Sequence, residues 1–372
     1  MNMSLTRRDL LGGGAVLVGG QLIAPFPGVE PAPAVKPSPG VELVGNEARV
    51  STVGDVQLKR IHHDENLLPD REHSGFCSLV HDSDGKLVLH DGDKTWLYTT
   101  ALFEAPDGEQ RDWYGKWVSH VREFNTKSLV SGEKKLALGL AGNDQWAVIH
   151  NVIKVSDSLY VAVYSTNLGV RAAVSSCPDG VFQADPDFRL DVTEVWEKKG
   201  GKEDSLESTG GHVKIEDTDD HLLLWLLYDS YHVDKTRGLL GWAKVHVGKV
   251  TCRVELRGKH PDNPLSLLPS KGYIAARAGG NLSSDVRLGG KHTMFYYSRA
   301  NQNEIMLTAG LSSDALFQDV TDVVEMEPPL GTEDVIEKFE SYMVNNVLHI
   351  IYENNLASSH WGTGIRLYRM GE

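Results

Sequence analysis

The chain alternates short apolar runs with polar turns, and this pattern recurs several times. The clearest copy spans residues 272–317, where a polar opening is followed by a Gly289-Gly290 turn, the apolar strand HTMFYY, a second turn and a further strand. Strands of about 5–6 residues separated by Gly, Asn, Asp and Ser are typical of antiparallel meanders. The pattern therefore predicts a β-rich chain.

Four more segments repeat this order loosely, over residues 72–100, 146–182, 206–245 and 336–369. Each contains an aromatic-rich strand such as LYVAVYS or LLLWLLYDS. Counted from that strand, the five copies begin near these residues: Leu87, Leu159, Leu222, Thr293 and Leu348. A module of several strands that recurs every 55 to 72 residues indicates radial repetition. We therefore expect an all-β fold, a five-bladed β-propeller in which each blade is a four-stranded antiparallel sheet.

The segments between the copies add three expectations. Residues 50–63 alternate weakly, which predicts a strand that completes the last blade and so removes an exposed edge. Residues 102–128 form a long connection, and connections of this length are often functional. Only residues 332–338 give a hint of helix.

Composition excludes several classes of function. The 372 residues are 41% hydrophobic and 24% charged, which is ordinary for a soluble globular protein. A net charge of −14 argues against nucleic acid and anionic membranes as partners, because both attract positive charge. The three cysteines, Cys77, Cys177 and Cys252, are too few for a disulfide framework, and no Cys/His spacing typical of zinc is present.

The N-terminus carries a targeting pattern. Arg7 and Arg8 precede a glycine-rich apolar run, and Ala32-Pro33-Ala34 offers a small-x-small cleavage site. This predicts a twin-arginine-type signal peptide over residues 1–34, a Pro-rich linker over 35–48 and the propeller domain over 49–372. The mature protein is then expected in the periplasm, at the cell surface or outside the cell, without stable membrane insertion. The alternative is an uncleaved membrane anchor.

The polar openings indicate where chemistry would sit. In a propeller the innermost strand of each blade lines the central channel, so the openings of the five copies are expected to converge at one mouth. They contain carboxylates, histidines and an arginine, a mixture that suits acid and base chemistry. The residues are Glu72, His73, His150, Asn151, Glu207, His212, Arg277, Asn281, Ser284, Asp285, Glu340 and Ser341.

The blade pattern resembles the five-bladed-propeller glycoside hydrolases that include arabinanases, xylosidases and fructan hydrolases, over about residues 70–370. The segment LESTGGHVKIEDTDDHLLLWLLYDS resembles the third blade of that group, and the resemblance implies that Glu207 is the general acid. His150 and Asn151 stand where the second blade of the group has an aspartate. The first blade lacks the Asp-Pro of the group, although Glu72 and His73 lie just upstream.

The same resemblance assigns structural roles elsewhere. The segments ending SSDALF and CPDGVF resemble the outer strand of the family and its S-x-D-x-x-F tail, which carries structure rather than catalysis. The resemblance implies no cofactor in the reaction, and it leaves room for a structural Ca²⁺ in the channel.

Each nominated residue also has a plain structural interpretation. Glu207 is either a catalytic acid or a solvated strand-end carboxylate. Asp285 is either a base or sugar ligand, or a partner for backbone amides. Glu340 either acts in catalysis or pairs with Arg277 of the neighbouring blade. Glu72 joins them as a fourth catalytic nominee. The remaining nominees either bind substrate or serve packing and hydrogen bonding: His73, His150, Asn151, His212, Arg277, Trp146 and His360.

Three functions remain open from the sequence. The leading hypothesis is a secreted glycoside hydrolase that acts on a polysaccharide or oligosaccharide by carboxylate acid/base chemistry. The second is a polysaccharide lyase, in which histidines abstract a proton and Arg277 neutralises a uronate carboxylate. The third is a carbohydrate-binding propeller without catalysis, because this fold hosts many unrelated functions.

Overall fold

The structure is a computed structural model of the whole chain. It describes residues 50–370 except for segments 54–55, 65–66, 69–74, 103–115, 143, 199–204, 232–238, 269–274, 302–303, 327–334 and 357–359. The expected signal peptide and linker lie outside the described residues. No helix in the described part is long and apolar enough to cross a membrane.

The described chain is built from 21 strands, and its only helix is a single 3₁₀ turn at Val195–Glu197. Hydrogen bonding between consecutive strands divides the sheets into five antiparallel meanders. Meander 1 contains β3 (Gly75–Asp82), β4 (Lys94–Leu102), β5 (Trp117–Asn125) and β6 (Lys135–Leu138). Meander 2 contains β7 (Val148–Ser156), β8 (Leu159–Thr166), β9 (Gly169–Ser175) and β10 (Gln183–Ala184). Meander 3 contains β11 (Ser205–Asp217), β12 (His221–Tyr231), β13 (Leu240–Gly248) and β14 (Val254–Lys259).

The last two meanders follow the same plan. Meander 4 contains β15 (Ala275–Leu288), β16 (Lys291–Asn301), β17 (Glu304–Ser312) and β18 (Val320–Glu325). Meander 5 contains β19 (Val335–Val344), β20 (Val347–Leu356) and β21 (His360–Met370), and two N-terminal strands complete it: β2 (Val56–Asp64) and β1 (Val50–Val53). The prediction that residues 50–63 add a strand to the last sheet is confirmed, because β2 pairs antiparallel with β21.

Local sequence explains the hairpins. Asn345 and Asn346 join β19 to β20 with φ values of 51° and 61°, and Gly289 and Gly290 join β15 to β16 with φ values of 57° and 75°. Two-residue hairpin turns with both φ values positive match the natural twist of antiparallel strands, and Asn and Gly tolerate them best. These turns fix the register of the strands on either side.

Five hydrophobic clusters hold the meanders together. Four of the clusters each join two meanders that are consecutive along the chain, and the remaining cluster joins meander 5 to meander 1. The strand LYVAVYST of β8 is buried along its whole length because both faces of its sheet are covered. The clusters therefore link the meanders into a closed series.

Three local predictions are wrong. The connection expected over residues 102–128 contains a strand, β5, which pairs antiparallel with β4. The aromatic strand of the first copy begins at Lys94, not near Leu87, because residues 82–87 form a turn that Asp82 holds by accepting hydrogen bonds from two backbone amides. The helix hint falls partly outside the described residues, and its remainder lies in β19 from Val335 onward. There, pairing with β20 outweighs the local preference of the sequence.

Candidate active site

The first strands of the five meanders surround a common centre. β3 pairs parallel with β7 through Val80 and Val152, and β11 pairs parallel with β15 through Gly210 and Asn281. β19 lies against both β15 and β3, and β11 lies against β7. The five strands are therefore neighbours in a ring, and side chains from all five meet near its centre.

Each of these strands also breaks register with the second strand of its meander. The residues left out of the pairing at the first break of each strand are Cys77 in β3, His150 in β7, 209–211 in β11, 278–280 in β15 and 337–338 in β19. Such β-bulges bend a strand and redirect its side chains, and they are frequent next to active sites. Because a bulge recurs at a similar height in the first strand of all five meanders, these strands bend there and direct polar side chains toward the centre of the ring.

Gly211 allows two of the inner strands to approach closely. Its φ is +130°, and a Cβ atom at this position would lie 2.9 Å from the Leu282 side chain and 3.0 Å from the Leu282 backbone nitrogen. Backbone atoms cannot move aside cheaply, so only glycine fits where β11 meets β15. The second glycine of the STGGH segment is therefore required for this contact.

We call five residues, one from each inner strand, the central cluster: His81, Asn151, His212, Asp285 and Glu340. Glu340 and His81 form its closest ionisable contact, with 3.0 Å between Glu340 Oε1 and His81 Nε2. The backbone N–H of Leu79 donates to Glu340 Oε2 at 2.5 Å. Both side chains are more than nine-tenths buried, so this contact ties meander 5 to meander 1.

The surroundings of His81 favour its protonated form. Burial disfavours the charge, but the Glu340 carboxylate, assisted by Asp285 and Asp82, more than compensates and raises the pKa of His81 above its usual value. A buried carboxylate is itself stabilised by a cation and by hydrogen bonds. His81 and Glu340 therefore form a buried ion pair when His81 is protonated.

His212 is held in the neutral state. Burial, reinforced by nearby His81, lowers the pKa of His212 to about 4. His212 Nε2 lies 2.8 Å from the carbonyl oxygen of Asp82, so Nε2 carries the proton and donates it. Nδ1 is then the acceptor, and it faces the Asn151 amide nitrogen at 3.5 Å. Asn151 also donates to the Gly211 carbonyl at 3.2 Å, which joins meander 2 to meander 3.

Residues 82–87 of meander 1 reach across the centre to meanders 3 and 4. Asp285 Oδ2 accepts from the Leu87 backbone at 2.9 Å, and Lys214 lies 2.5 Å from Asp84. The Ser284 hydroxyl donates to the Asp84 carbonyl, and Ser83 donates to Asp217 at 3.0 Å. The turn therefore contacts the second halves of both β11 and β15.

Glu207 lies away from this turn, near the start of β11. It is half-buried, and its direct partner across the antiparallel β11–β12 pair is Asp229, which is 3% exposed. Residues directly opposite in such a pair place their side chains on the same face, with Cβ atoms about 4.5–5.5 Å apart. Two carboxylates therefore stand side by side at the end of the ring where the inner strands begin.

The structure brings together part of the predicted set. Asn151, His212, Asp285 and Glu340 belong to the central cluster, whereas Glu207 stands five residues before His212 on the same strand. Glu340 contacts Leu79 and His81, and Asp285 accepts from a backbone amide as its plain interpretation expected.

The other nominated residues take less defined places. His150 is buried at the bulge of β7, and Trp146 is only 5% exposed. Arg277 and His360 lie in β15 and β21, and their side chains are outside what the structure describes. Glu72 and His73 lie outside the described residues altogether.

Sequence reasoning missed His81 and Asp229. His81 follows the apolar run SLV near the end of β3, whereas the sequence analysis nominated residues at the start of each copy. Asp229 interrupts the apolar run LLLWLLYDS of β12, and a lone carboxylate in such a run was the signal available. Among the described residues, no group of three or more His, Cys, Asp or Glu is placed to hold a metal ion.

Comparisons with known proteins bear on the fold. No family model matches the chain, and no curated protein matches it significantly. Two similar solved structures, a BT0996 RGII complex and a protein described as "Glycoside hydrolase", each give a TM-score of 0.50 at 12% identity over 80% of this chain and 91% of theirs. A β-xylosidase/α-arabinofuranosidase from a compost microbial metagenome gives a TM-score of 0.47 at 13% identity, over 84% and 94%.

These comparisons define the class of fold. The chain is all-β with a propeller-like arrangement, and the predicted resemblance to propeller glycoside hydrolases is confirmed at the level of structure. At 12% identity the likeness concerns the fold, so the reaction has to be argued from the residues of this chain.

Proposed function

We propose that this protein is a glycoside hydrolase whose five meanders are the blades of one five-bladed propeller, with Glu207 as general acid. The observation that carries the proposal is the position of Glu207: half-buried near the start of β11 and beside the carboxylate of Asp229. A general acid must reach the substrate and hold a proton near the working pH; partial exposure favours the first condition, and a second carboxylate nearby favours the second. The likeness in fold to a glycoside hydrolase agrees with this role.

The other described carboxylates are less suited to this role. Glu340 is 2% exposed and already engaged by His81 and the Leu79 amide. Asp285 accepts from the Leu87 amide, on the side that residues 82–87 cover. Both residues join inner strands to meander 1, so we assign them to the support of the ring.

The proposed reaction is a hydrolysis. Glu207 gives its proton to the glycosidic oxygen, and the electrons of the breaking C–O bond pass to that oxygen. The oxygen of a water molecule bonds to the anomeric carbon, and the base accepts the proton that this water releases. Glu72, on the stretch just before β3, is the nominee for that base. Exchange with solvent then removes the proton from the base and returns one to Glu207, which completes the cycle.

The test compares Glu207→Gln with Glu216→Gln, which alters an exposed glutamate on the same strand. Both variants and the wild type are incubated with a panel of neutral and uronic-acid polysaccharides, and reducing ends and ultraviolet absorbance are recorded. We expect the wild type to produce new reducing ends without ultraviolet absorbance. Glu207→Gln is expected to produce them at least about 100-fold more slowly, whereas Glu216→Gln is expected to keep the wild-type rate. Near-normal activity of Glu207→Gln at an unchanged melting temperature would remove Glu207 from the acid role.

The same assay separates the two alternatives from the sequence. Reducing ends together with absorbance of an unsaturated product would indicate a lyase, which would depend on His73 and Arg277 rather than Glu207. Neither signal, with retained binding of a polysaccharide in affinity electrophoresis, would indicate a binding protein. Both outcomes would overturn the hydrolase proposal.

A further inference from the structure

We infer that His212 is a positioning residue, which holds the β-bulge at residues 209–211 and so fixes the place of Glu207 on β11. This inference rests on the proposed function, because it concerns the residue proposed as the acid. His212 acts through the backbone of its own strand and is not assigned a contact with substrate.

The bulge lies directly between Glu207 and His212. Ser208 is the last residue of the first paired stretch of β11, and His212 is the residue at which pairing with β12 resumes. Between these two pairs, residues 209–211 of β11 lie opposite only Leu227 of β12. Side chains alternate between the two faces of a strand, so a slip of one residue at the bulge would move Glu207 to the other face of the sheet. The conformation of the bulge therefore decides where the proposed acid points.

The residues of the bulge do little to hold its conformation by themselves. Gly210 and Gly211 have no side chain and restrict the backbone least of all residues. Contacts with other meanders therefore have to fix the bulge. Gly210 pairs with Asn281 of β15, and the Gly211 carbonyl accepts a hydrogen bond from the Asn151 amide of β7 at 3.2 Å. These contacts hold the middle of the bulge, and its C-terminal end depends on His212.

His212 anchors that end of the bulge to meander 1. Its Nε2 atom donates to the carbonyl oxygen of Asp82 at 2.8 Å, and the residue is only 3% exposed. A buried N–H group without an acceptor costs free energy, so the imidazole is held against this carbonyl. The 82–87 turn and the backbone of β11 are therefore kept at a fixed separation just beyond the bulge.

Loss of this anchor is expected to affect the reaction more than the binding of substrate. The proposed acid must lie within hydrogen-bond distance of the glycosidic oxygen, and a displacement of about 1 Å can cost about 100-fold in rate. Contacts with the sugar that come from other strands would change less. We therefore expect kcat to fall with little change in KM.

The kinetic test compares His212→Gln with His212→Asn. Both variants carry an uncharged amide, but glutamine can place its N–H group where Nε2 lies, whereas asparagine is one methylene shorter and does not reach the Asp82 carbonyl. We expect His212→Gln to keep kcat within about 3-fold of wild type. His212→Asn is expected to lower kcat per folded molecule at least about 10-fold, with KM changed by less than about 2-fold.

His90→Asn is the matched control, because His90 is half-buried against Trp96 and away from the bulge; it is expected to keep the wild-type kcat. A role in stability alone would lower the melting temperature of His212→Asn but leave kcat per folded molecule unchanged, and that result would overturn the inference. Equal losses of kcat in His212→Gln and His212→Asn would also overturn it, because the reach of the donor would then not matter.

Two measurements on the full chain need no substrate. Nitrogen NMR of labelled histidine side chains should show His212 as the neutral Nε2–H tautomer near neutral pH, with its signal assigned by its absence in His212→Gln. An Nδ1–H tautomer would contradict the bond to Asp82 and the inference with it. Amide hydrogen exchange over residues 205–212 should be at least about 10-fold faster in His212→Asn than in His212→Gln, with exchange in β13 unchanged. Equal exchange over residues 205–212 in the two variants would count against the anchor.

The two proposals fail in distinguishable ways. An inactive Glu207→Gln together with a wild-type kcat in His212→Asn overturns the positioning role and leaves the hydrolase intact. An active Glu207→Gln overturns the proposed acid, and the positioning of that acid falls with it. If His212→Asn does not fold, the wild-type tautomer and the activity of His212→Gln decide the question: the Nε2–H form with an active variant supports the inference, and any other result contradicts it.

Discussion

The two histidines of the central cluster show how neighbours decide the charge of a buried residue. His81 faces the Glu340 carboxylate, which raises the pKa of His81 despite its burial. His212 faces a backbone carbonyl and an amide, and its burial lowers the pKa of His212 to about 4. The surroundings of His81 therefore favour its charged form, whereas His212 serves as a neutral donor and acceptor.

A stability prediction follows from His212. Its pKa is about 4 in the folded state and near 6.5 in the unfolded state, so the unfolded chain takes up the proton first as pH falls. The stabilisation is complete above pH 6.5 and is lost as pH falls toward 4. We expect His212→Gln to remove this dependence, so that wild type loses about 2–3 kcal/mol more than the variant between pH 7 and pH 4.5 in urea unfolding.

The control is His90→Gln, because His90 is half-buried against Trp96 and away from the central cluster. This variant is expected to keep the pH dependence of wild type. Parallel curves for wild type and His212→Gln would show that His212 is not neutral in the folded protein.

At the scale of elements, the 82–87 turn joins more parts of the molecule than a hairpin turn usually does. It carries Gly85 at a φ of +76°, and a Cβ atom there would lie 3.2 Å from the Ser284 hydroxyl and 3.5 Å from the His212 carbonyl. Its hydrogen bonds to Ser284 and Asp285 tie meander 1 to meander 4. The turn is thus part of the packing at the centre of the ring.

Substitution of two glycines between β3 and β4 distinguishes the cost of backbone strain from the cost of a packing clash. Gly92 has a φ of +87°, and a Cβ atom added there would meet nothing within 4 Å, so Gly92→Ala adds backbone strain alone. We expect Gly92→Ala to cost about 1–2 kcal/mol of the free energy of unfolding. Gly85→Ala should cost about 1 kcal/mol or more beyond that, because the 82–87 turn must also move away from Ser284. Equal losses in urea unfolding would show that the turn does not pack against β15.

The same elements show what local sequence can and cannot predict. The pairs Asn345-Asn346 and Gly289-Gly290 predict hairpins from the sequence, because the positive φ values of each turn depend on the two turn residues themselves. The SSDALF tail also behaves as expected: Asp314 accepts from the Leu316 amide, and Phe317 is fully buried. By contrast, the run KLVLH resembles a strand, but Asp82 accepts from the Lys86 amide and Asp285 accepts from the Leu87 amide, so the run begins inside the 82–87 turn.

The candidate site was predictable only in part for the same reason. Repetition of the strand pattern placed Asn151, His212, Asp285 and Glu340 on inner strands, where the structure has them. His81 was missed because its role depends on Glu340, which lies far away along the chain. A pattern within one copy carries no information about which residue of another copy it meets.

At the scale of the whole molecule, each meander packs against two neighbouring meanders through two of the five hydrophobic clusters. The stability of each meander therefore depends on both neighbours. β2 is the N-terminal contribution to this arrangement, since Leu58 is fully buried in the cluster between meanders 4 and 5, together with Phe339 and Tyr368. Pairing of β2 with β21 also covers an edge that would otherwise be open to other chains. The first and the last strands of the described part of the chain therefore share one sheet.

Leu58→Ala tests whether this closure supports the whole ring. Removing a fully buried leucine costs about 2–5 kcal/mol, whereas Leu89→Ala, at a site 45% exposed, should cost far less. If the meanders unfold as one unit, tryptophan fluorescence and far-ultraviolet circular dichroism will report the same lowered urea midpoint. A loss below about 1 kcal/mol, or two separate transitions, would contradict a ring that depends on its N-terminal strand. A single shifted transition would instead mean that strands from both chain ends support the central cluster and Glu207 alike.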